Sequence, residues 1–222
     1  MRLLASRRRG IPLGRVSPGT LDTLYSFPRG RWVRVNFVTT VDGSAVGSDG
    51  RSGTINTPPD EQTFARQRSL ADVVLVGAGT ARHEGYGPAR VPIAVVSRAG
   101  HLPEGLQESR RGRTILVTCA ASGREASEDV WLCGEDSVDL AAAVDRLVAE
   151  GMPHILCEGG PHLFGSLLAA GLVDDVAATV SPLLVSGDGI RMATGPLVDV
   201  PLELRHLLEE DGTLLTLWRV RR

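Results

Sequence analysis

Residues 153–173 read PHILCEGGPHLFGSLLAAGLV, and this stretch decides the fold. His154, Ile155, Leu156 and Cys157 form an apolar run between breakers, too short for a helix and suited to a central strand. Glu158 falls at the carboxyl end of that strand. Gly159-Gly160 predicts a turn in which backbone can approach another group closely, and Pro161 suits a first helical turn because it lacks the amide hydrogen that would be left unpaired. Leu163, Phe164, Leu167 and Leu168 then follow at helical spacing. A helix that starts at a glycine turn directs unpaired amides and the positive end of its dipole at one spot, where a phosphate fits. The expected ligand is therefore anionic. An ordinary strand-to-helix turn is the plainer reading of a single Gly-Gly pair.

Working outward, residues 72–80, DVVLVGAGT, hold a second β-rich run, Val73 to Val76, ending in Gly77-Ala78-Gly79-Thr80. This is a second glycine turn at a strand end. It is not the Rossmann fingerprint, because Arg82 stands where the third glycine should be. Residues 93–96 form a third buried-strand candidate, which ends in Ser97-Arg98. A hydroxyl beside a guanidinium suits a 2′-phosphate, whereas a ribose 2′-hydroxyl calls for a carboxylate there. A dinucleotide at this edge would thus be NADPH rather than NADH; a solvated strand end is the plainer reading.

The 222 residues, 42% hydrophobic and 23% charged, specify a globular α/β chain with one main core. A net charge of −2 gives no reason to expect nucleic acid. All 24 basic residues are Arg, which excludes Schiff-base and P-loop lysine chemistry. Cys119, Cys133 and Cys157 are odd in number, widely spaced and set in or beside apolar runs, as reduced cysteines of a cytoplasmic protein would be. The five His are scattered, so no metal site is expected. No apolar run reaches membrane-spanning length.

From the amino terminus, residues 1–30 are rich in Arg, Gly and Pro, with the run Arg7-Arg8-Arg9. They read as a surface arm, which Leu21, Leu24, Tyr25 and Phe27 could pack on the body or on a second subunit; an RNA-binding tail is the sharper alternative. Residues 31–222 read as a single domain. Residues 32–41 alternate and form the first strand, ending at the turn Asp42-Gly43. Residues 44–53 are a small, polar loop suited to covering a ligand. Thr57, two prolines and two acids open a helix that runs through Phe64, Arg68 and Leu70. Residues 115–118 and, more weakly, 130–133 read as strands, the first reached by a polar, Arg-rich connection. Ser137 reads as the cap of a helix over 138–150. Residues 176–180 form a strand followed by an irregular stretch, and 202–208 and 213–220 flank Asp211-Gly212 as a hairpin. The expected fold is a mainly parallel sheet with helices on both faces and an antiparallel carboxyl-terminal hairpin.

Several stretches together resemble a known family. T-x-D-G at Thr40 to Gly43, then Arg51-Ser52-Gly53, LADVVLVGAGTARHEGYGP, VVSR, and LCEGGPHLFGSLLAAGLVDD followed by SPLLV are similar to the reductase half of the bacterial riboflavin-biosynthesis deaminase–reductases, and above all to stand-alone pyrimidine reductase-like proteins of actinobacteria. The resemblance spans about residues 32–220. It implies a dihydrofolate reductase-like fold, NADPH as cofactor, a homodimer, and reduction of the ribosyl group of 5-amino-6-(5-phosphoribosylamino)uracil to a ribityl chain.

Carried over position by position, the resemblance puts Thr80, Glu84, Thr118, Gly160, Pro161, His162, Leu163 and Phe164 at the cofactor, beside Gly77, Gly79, Gly159, Ser97 and Arg98 from the reading of the glycine turns and strand end. Thr54 falls where the family often has a Trp beside the cofactor. Ser52, Arg68 and Glu158 stand at substrate positions, and Arg90 does after a short shift; Thr40 is a further substrate-binding candidate, and Arg68 and Arg90 would suit the substrate's phosphate. Glu158 and Asp42 are both candidates to balance the charge of an imine or pass a proton, with a turn role the rival for Asp42. No H-x-E paired with P-C-x-x-C is found, so the substrate is expected to arrive already deaminated. Reduction of dihydrofolate or another pterin, and NADPH binding without catalysis, are the alternatives.

Overall fold

The computed structural model describes residues 1–107 and 112–222. Its elements are, in order, β1 (Arg2–Ser6), β2 (Gly14–Arg15), α1 (Pro18–Tyr25), β3 (Trp32–Thr40), α2 (Pro58–Leu70), β4 (Val73–Gly77), α3 (Ala78–His83), β5 (Ile93–Val96), α4 (Glu104–Gln107), β6 (Thr114–Thr118), β7 (Val130–Leu132), α5 (Leu140–Ala149), β8 (His154–Cys157), α6 (Pro161–Ala169), β9 (Asp175–Ser181), β10 (Leu202–Glu210) and β11 (Thr213–Val220). Part of the Arg-rich connection before β6 lies outside the described residues. Among the described residues, no helix is long and apolar enough to cross a membrane.

One sheet takes in every strand, in the order β2-β1-β10-β11-β9-β3-β8-β4-β5-β6-β7. From β9 to β7 the neighbours run parallel, while β11, β10, β1 and β2 add on antiparallel. The chain moves outward from β4 to β7 and then returns to lay β8 between β3 and β4. Such a reversal opens a crevice at the carboxyl ends of the strands, where α/β sheets bind ligands. Glu158, Gly159 and Gly160 follow β8 at this point.

The apolar strands are buried on both faces, as their nearly continuous hydrophobic runs require. Val33, Val35, Val73, Leu75, Ile155 and Cys157 pack against α5 and α6. Val74, Val76, Ile93 and Val95 meet Ala78 and Ala81 of α3 and Leu106 of α4, and Ala177, Leu208 and Leu217 meet Leu21, Leu24 and Tyr25 of α1. Each large aliphatic side chain so buried contributes about 1.5–3 kcal/mol. The closing hairpin turns through Asp211 and Gly212, both at positive φ (51° and 78°), with Glu210 paired to Thr213. This is the primed two-residue turn that an Asp-Gly pair favours.

The amino-terminal stretch packs on the body, as its apolar residues allowed: β1 pairs with β10, and Leu3 is 1% exposed within the α1 cluster. One expectation is corrected: Ser137 does not cap α5. Cys133 carbonyl accepts the Asp139 amide across a turn at Gly134, and the Asp139 carboxylate accepts the amides of Ala141 and Ala142, so the helix starts at Leu140. A carboxylate at this position also satisfies the helix dipole.

Candidate active site

A cavity of about 770 Å³ opens at the carboxyl edge of β3, β8 and β4. Its walls are Asn36, Phe37 and Val38 of β3, Asp60, Phe64 and Arg68 of α2, Gly79, Thr80 and His83 of α3, and Glu158, Gly160 and Pro161 after β8. Thr57 caps α2 through the Asp60 amide, and the i, i+4, i+8 spacing of Asp60, Phe64 and Arg68 puts them on one helical face. The same face of α2 is fastened to the sheet where Gln67 donates to Asn36 at 2.7 Å.

The two glycine turns of the sequence meet here. Gly77 donates its amide to the Gly159 carbonyl at 2.7 Å. Gly159 has φ +85°, and a Cβ on it would lie 2.5 Å from Phe37 Cζ, so only glycine fits between that ring and β4. A Cβ on Gly160 would lie 2.2 Å from Thr80 Oγ1. Among the described residues no side chain caps α6, which leaves its first amides available to an anion beside the Thr80 hydroxyl.

On the α2 side, Arg68 donates from Nε to Glu158 Oε1 at 2.6 Å and from Nη2 to Oε2 at 2.5 Å, and the Tyr86 hydroxyl donates to Oε2 at 2.6 Å. The guanidinium lies between the rings of Phe64 (4.6 Å) and Tyr86 (5.3 Å). Burial disfavours the Arg68 cation, but the hydrogen bonds and charge of Glu158 outweigh it and hold Arg68 more firmly protonated than usual. Burial, reinforced by the charge of Glu158, pushes the Tyr86 hydroxyl well above its ordinary value.

Asp60 is 4% exposed, and its Oδ1 has no hydrogen-bond partner among the described residues. Burial raises its carboxyl; a hydrogen bond from Thr179 opposes this and Glu61 adds to it. The loop over the cavity, residues 44–53, is strapped to the end of α3: Glu84 accepts the Ser52 amide at 3.1 Å, and His83 Nε2 lies 2.9 Å from the Gly50 carbonyl.

Of the residues singled out from sequence, the structure brings Ser52, Arg68, Gly79, Thr80, Glu84, Glu158, Gly160 and Pro161 to the cavity wall. Gly77, Gly159, Leu163 and Phe164 back it, with Phe164 stacked on Phe37 at 5.6 Å. His162 is exposed. Ser97, Arg98 and Thr118 lie further along the same edge, at the ends of β5 and β6; Ser97 Oγ accepts the His101 amide, and buried Thr118 Oγ1 has no partner among the described residues.

Four residues, Thr40, Asp42, Thr54 and Arg90, fall elsewhere. Asp42 is exposed and accepts from the Thr40 hydroxyl and from the amides of Val185 and Ser186, so both Thr40 and Asp42 serve a loop junction. These hydrogen bonds hold the Asp42 carboxyl below its usual range. Thr54 is exposed, its hydroxyl spent on Asp49 and the Arg51 carbonyl. Arg90 precedes β5 and is exposed at the amino-terminal edge of the parallel strands, opposite the cavity. Sequence reasoning missed Asp60 and Tyr86. The spacing 60-64-68 was a readable signal for the first; Tyr86, in a loop, had none.

The profile described as the RibD C-terminal domain matches residues 31–215. The chain is 27% identical to the 2,5-diamino-6-ribosylamino-4(3H)-pyrimidinone 5′-phosphate reductase of Methanothermobacter thermautotrophicus, over 81% of this chain and 94% of that protein. It is 26% identical to the riboflavin biosynthesis protein RibD of Mycobacterium tuberculosis, over 68% of this chain, and spans 42% of that protein's length. Among solved structures, a pyrimidine reductase-like protein of Corynebacterium diphtheriae superposes with a TM-score of 0.76 at 22% identity, over 91% of this chain and 99% of that one. The dihydrofolate reductase of Enterococcus faecalis superposes with a TM-score of 0.52 at 13% identity, over 86% and 97%. The fold is dihydrofolate reductase-like.

Proposed function

Since the chain belongs to the RibD C-terminal domain family, we propose that it is an NADPH-dependent reductase of riboflavin biosynthesis. Its substrate would be a phosphoribosylamino-pyrimidine, 5-amino-6-(5-phosphoribosylamino)uracil or the 2,5-diamino pyrimidinone for which the Methanothermobacter relative is named, and its product the ribitylamino compound. The carrying observation is the meeting, in one cavity, of an uncapped glycine turn with a polar wall of Asp60, Arg68 and Glu158. A homodimer in the cytoplasm belongs to the same reading and rests on the family alone.

The residues fit the cofactor. Gly160 admits a pyrophosphate close to backbone, the first amides of α6 and the Thr80 hydroxyl supply donors, and Ser97 with exposed Arg98 lies along the same edge for a 2′-phosphate. NADPH, when bound, supplies the hydride. The chain's own part is to align the two reactants and exclude water. Glu158 occupies one edge of the Arg68 guanidinium, which leaves its other edge for the substrate's phosphate. Reducing an imine also requires a proton at nitrogen. Glu158 already has donors on both oxygens and Asp42 lies outside the cavity, so we assign that proton to Asp60 Oδ1.

The test is NADPH oxidation by the purified chain with each pyrimidine and with dihydrofolate. Turnover of a pyrimidine and none of dihydrofolate supports the proposal.

A further inference from the structure

A second, smaller cavity of about 250 Å³ lies near the amino-terminal ends of β3 and β9, at the opposite edge of the parallel strands from the catalytic cavity. Arg8, Arg34, Arg205 and Arg219 line it, with Asp175 as the facing carboxylate. Asp175 is already engaged by three donors: Trp32 Nε1 at 2.8 Å, Arg34 Nη2 at 3.3 Å and Arg219 Nε at 3.1 Å. Glu203 approaches Arg205 only to 4.0 Å and pairs with Arg7 at 2.7 Å. Arg8 donates to the Thr23 carbonyl and to Ser26 Oγ. The positive charge at this cavity therefore exceeds the negative.

Two buried donor positions are also unmet. Arg34 is fully buried, donates from Nη1 to the Tyr25 carbonyl at 2.6 Å, and lies over the Phe27 ring, yet its Nε has no partner among the described residues. His206 is 2% exposed, and its Nε2 likewise has none. A buried cation with an unpaired N–H is destabilising, and an acceptor supplied to that N–H would relieve the cost. An oxyanion would complete it, with several acceptor oxygens and a charge to offset the excess arginine. Burial, followed by the charges of Arg34, Arg205 and Arg8, pushes His206 down to about 3, so its ring is neutral and Nε2 can serve as an uncharged donor. The volume is below the roughly 300–1,000 Å³ of pockets for larger ligands, which selects a small ion.

We propose that this cavity is a binding site for a phosphate-type oxyanion, held between Arg34 Nε and His206 Nε2 and closed over by Arg8 and Arg205. It joins the amino-terminal segment, through Arg8, to β3 and β10. A ligand bound only by the folded chain raises its stability by mass action.

The test uses the full chain with inorganic phosphate, matched in ionic strength by chloride. Phosphate is expected to raise the thermal midpoint, and the double variant R8Q/R205Q, which keeps buried Arg34 and Asp175 intact, is expected to weaken the apparent phosphate affinity at least tenfold while leaving NADPH affinity unchanged. Crystals soaked in selenate are expected to show an anomalous peak between Arg34 and His206. An unchanged phosphate response in the double variant, or a selenate peak in the catalytic cavity alone, overturns the proposal.

Discussion

Arg68 on α2 and Glu158 after β8, 90 positions apart in sequence, are joined by two parallel hydrogen bonds of 2.6 and 2.5 Å. The pair ties the helix face that carries Asp60 to the strand end that precedes the glycine turn, and so sets the substrate half of the cavity. Removing one partner of a buried pair typically costs about 3–5 kcal/mol, and less here because 28% of the Arg68 side chain is exposed. We expect Glu158→Gln to lower kcat/KM for the pyrimidine about ten- to a hundredfold, with NADPH affinity unchanged by fluorescence titration. Arg68→Lys would not substitute, because an ammonium cannot make the forked contact. A parallel loss of NADPH affinity would contradict this division of roles.

The Gly160–Thr80 contact makes a sharper test of the cofactor half. Gly160→Ala sets a Cβ against Thr80 Oγ1, and overpacking of this kind typically costs about 1–3 kcal/mol. NADPH binding should weaken about tenfold or more. The double variant G160A/T80A removes the clashing oxygen and should recover thermal stability without recovering full NADPH affinity. Unaltered NADPH binding in Gly160→Ala would remove the phosphate role of this turn.

Asp60 carries a pH signature. Burial holds its carboxyl above the ordinary 3.8, so the folded chain binds that proton more tightly than the unfolded chain does. The resulting stability is fully present below the ordinary value and is lost as pH rises through the raised one. Asp60→Asn should therefore flatten this part of the stability curve, measured by urea melts across the acid range, while kcat falls about 10²–10⁴-fold. Full activity in the variant would return the proton to another group.

Asp42→Ala provides the contrast. Its carboxylate serves the Thr40, Val185 and Ser186 junction, outside the cavity wall. Steady-state assays should find kcat within about twofold of the parent, since exposed positions away from a site change little.

Much of this architecture was legible in local chemistry. Short apolar runs such as residues 73–76 and 154–157 suited buried strands, and Asp211-Gly212 signalled a tight hairpin. Residues immediately after those strands, Glu158 and Gly160 above all, were legible for the same reason: a parallel sheet brings its carboxyl ends together. What could not be read depended on pairings distant in sequence. Leu3 gains its place only once β10 exists to receive β1. Arg90 resembled a phosphate ligand by type, yet it precedes its strand and so sits at the wrong edge. Asp60 looked like an ordinary helix-opening acid, and only the packing of α2 over β3 buries it beside the ligand space.

The central claim is tested most directly by following NADPH oxidation at substrate saturation with 5-amino-6-(5-phosphoribosylamino)uracil, the 2,5-diamino pyrimidinone phosphate and dihydrofolate in parallel. The account predicts turnover of a phosphoribosylamino-pyrimidine with formation of the ribityl product, with kcat/KM about ten- to a hundredfold lower in Glu158→Gln. Rapid oxidation with dihydrofolate alone, or tight NADPH binding with no turnover of either pyrimidine, would contradict it.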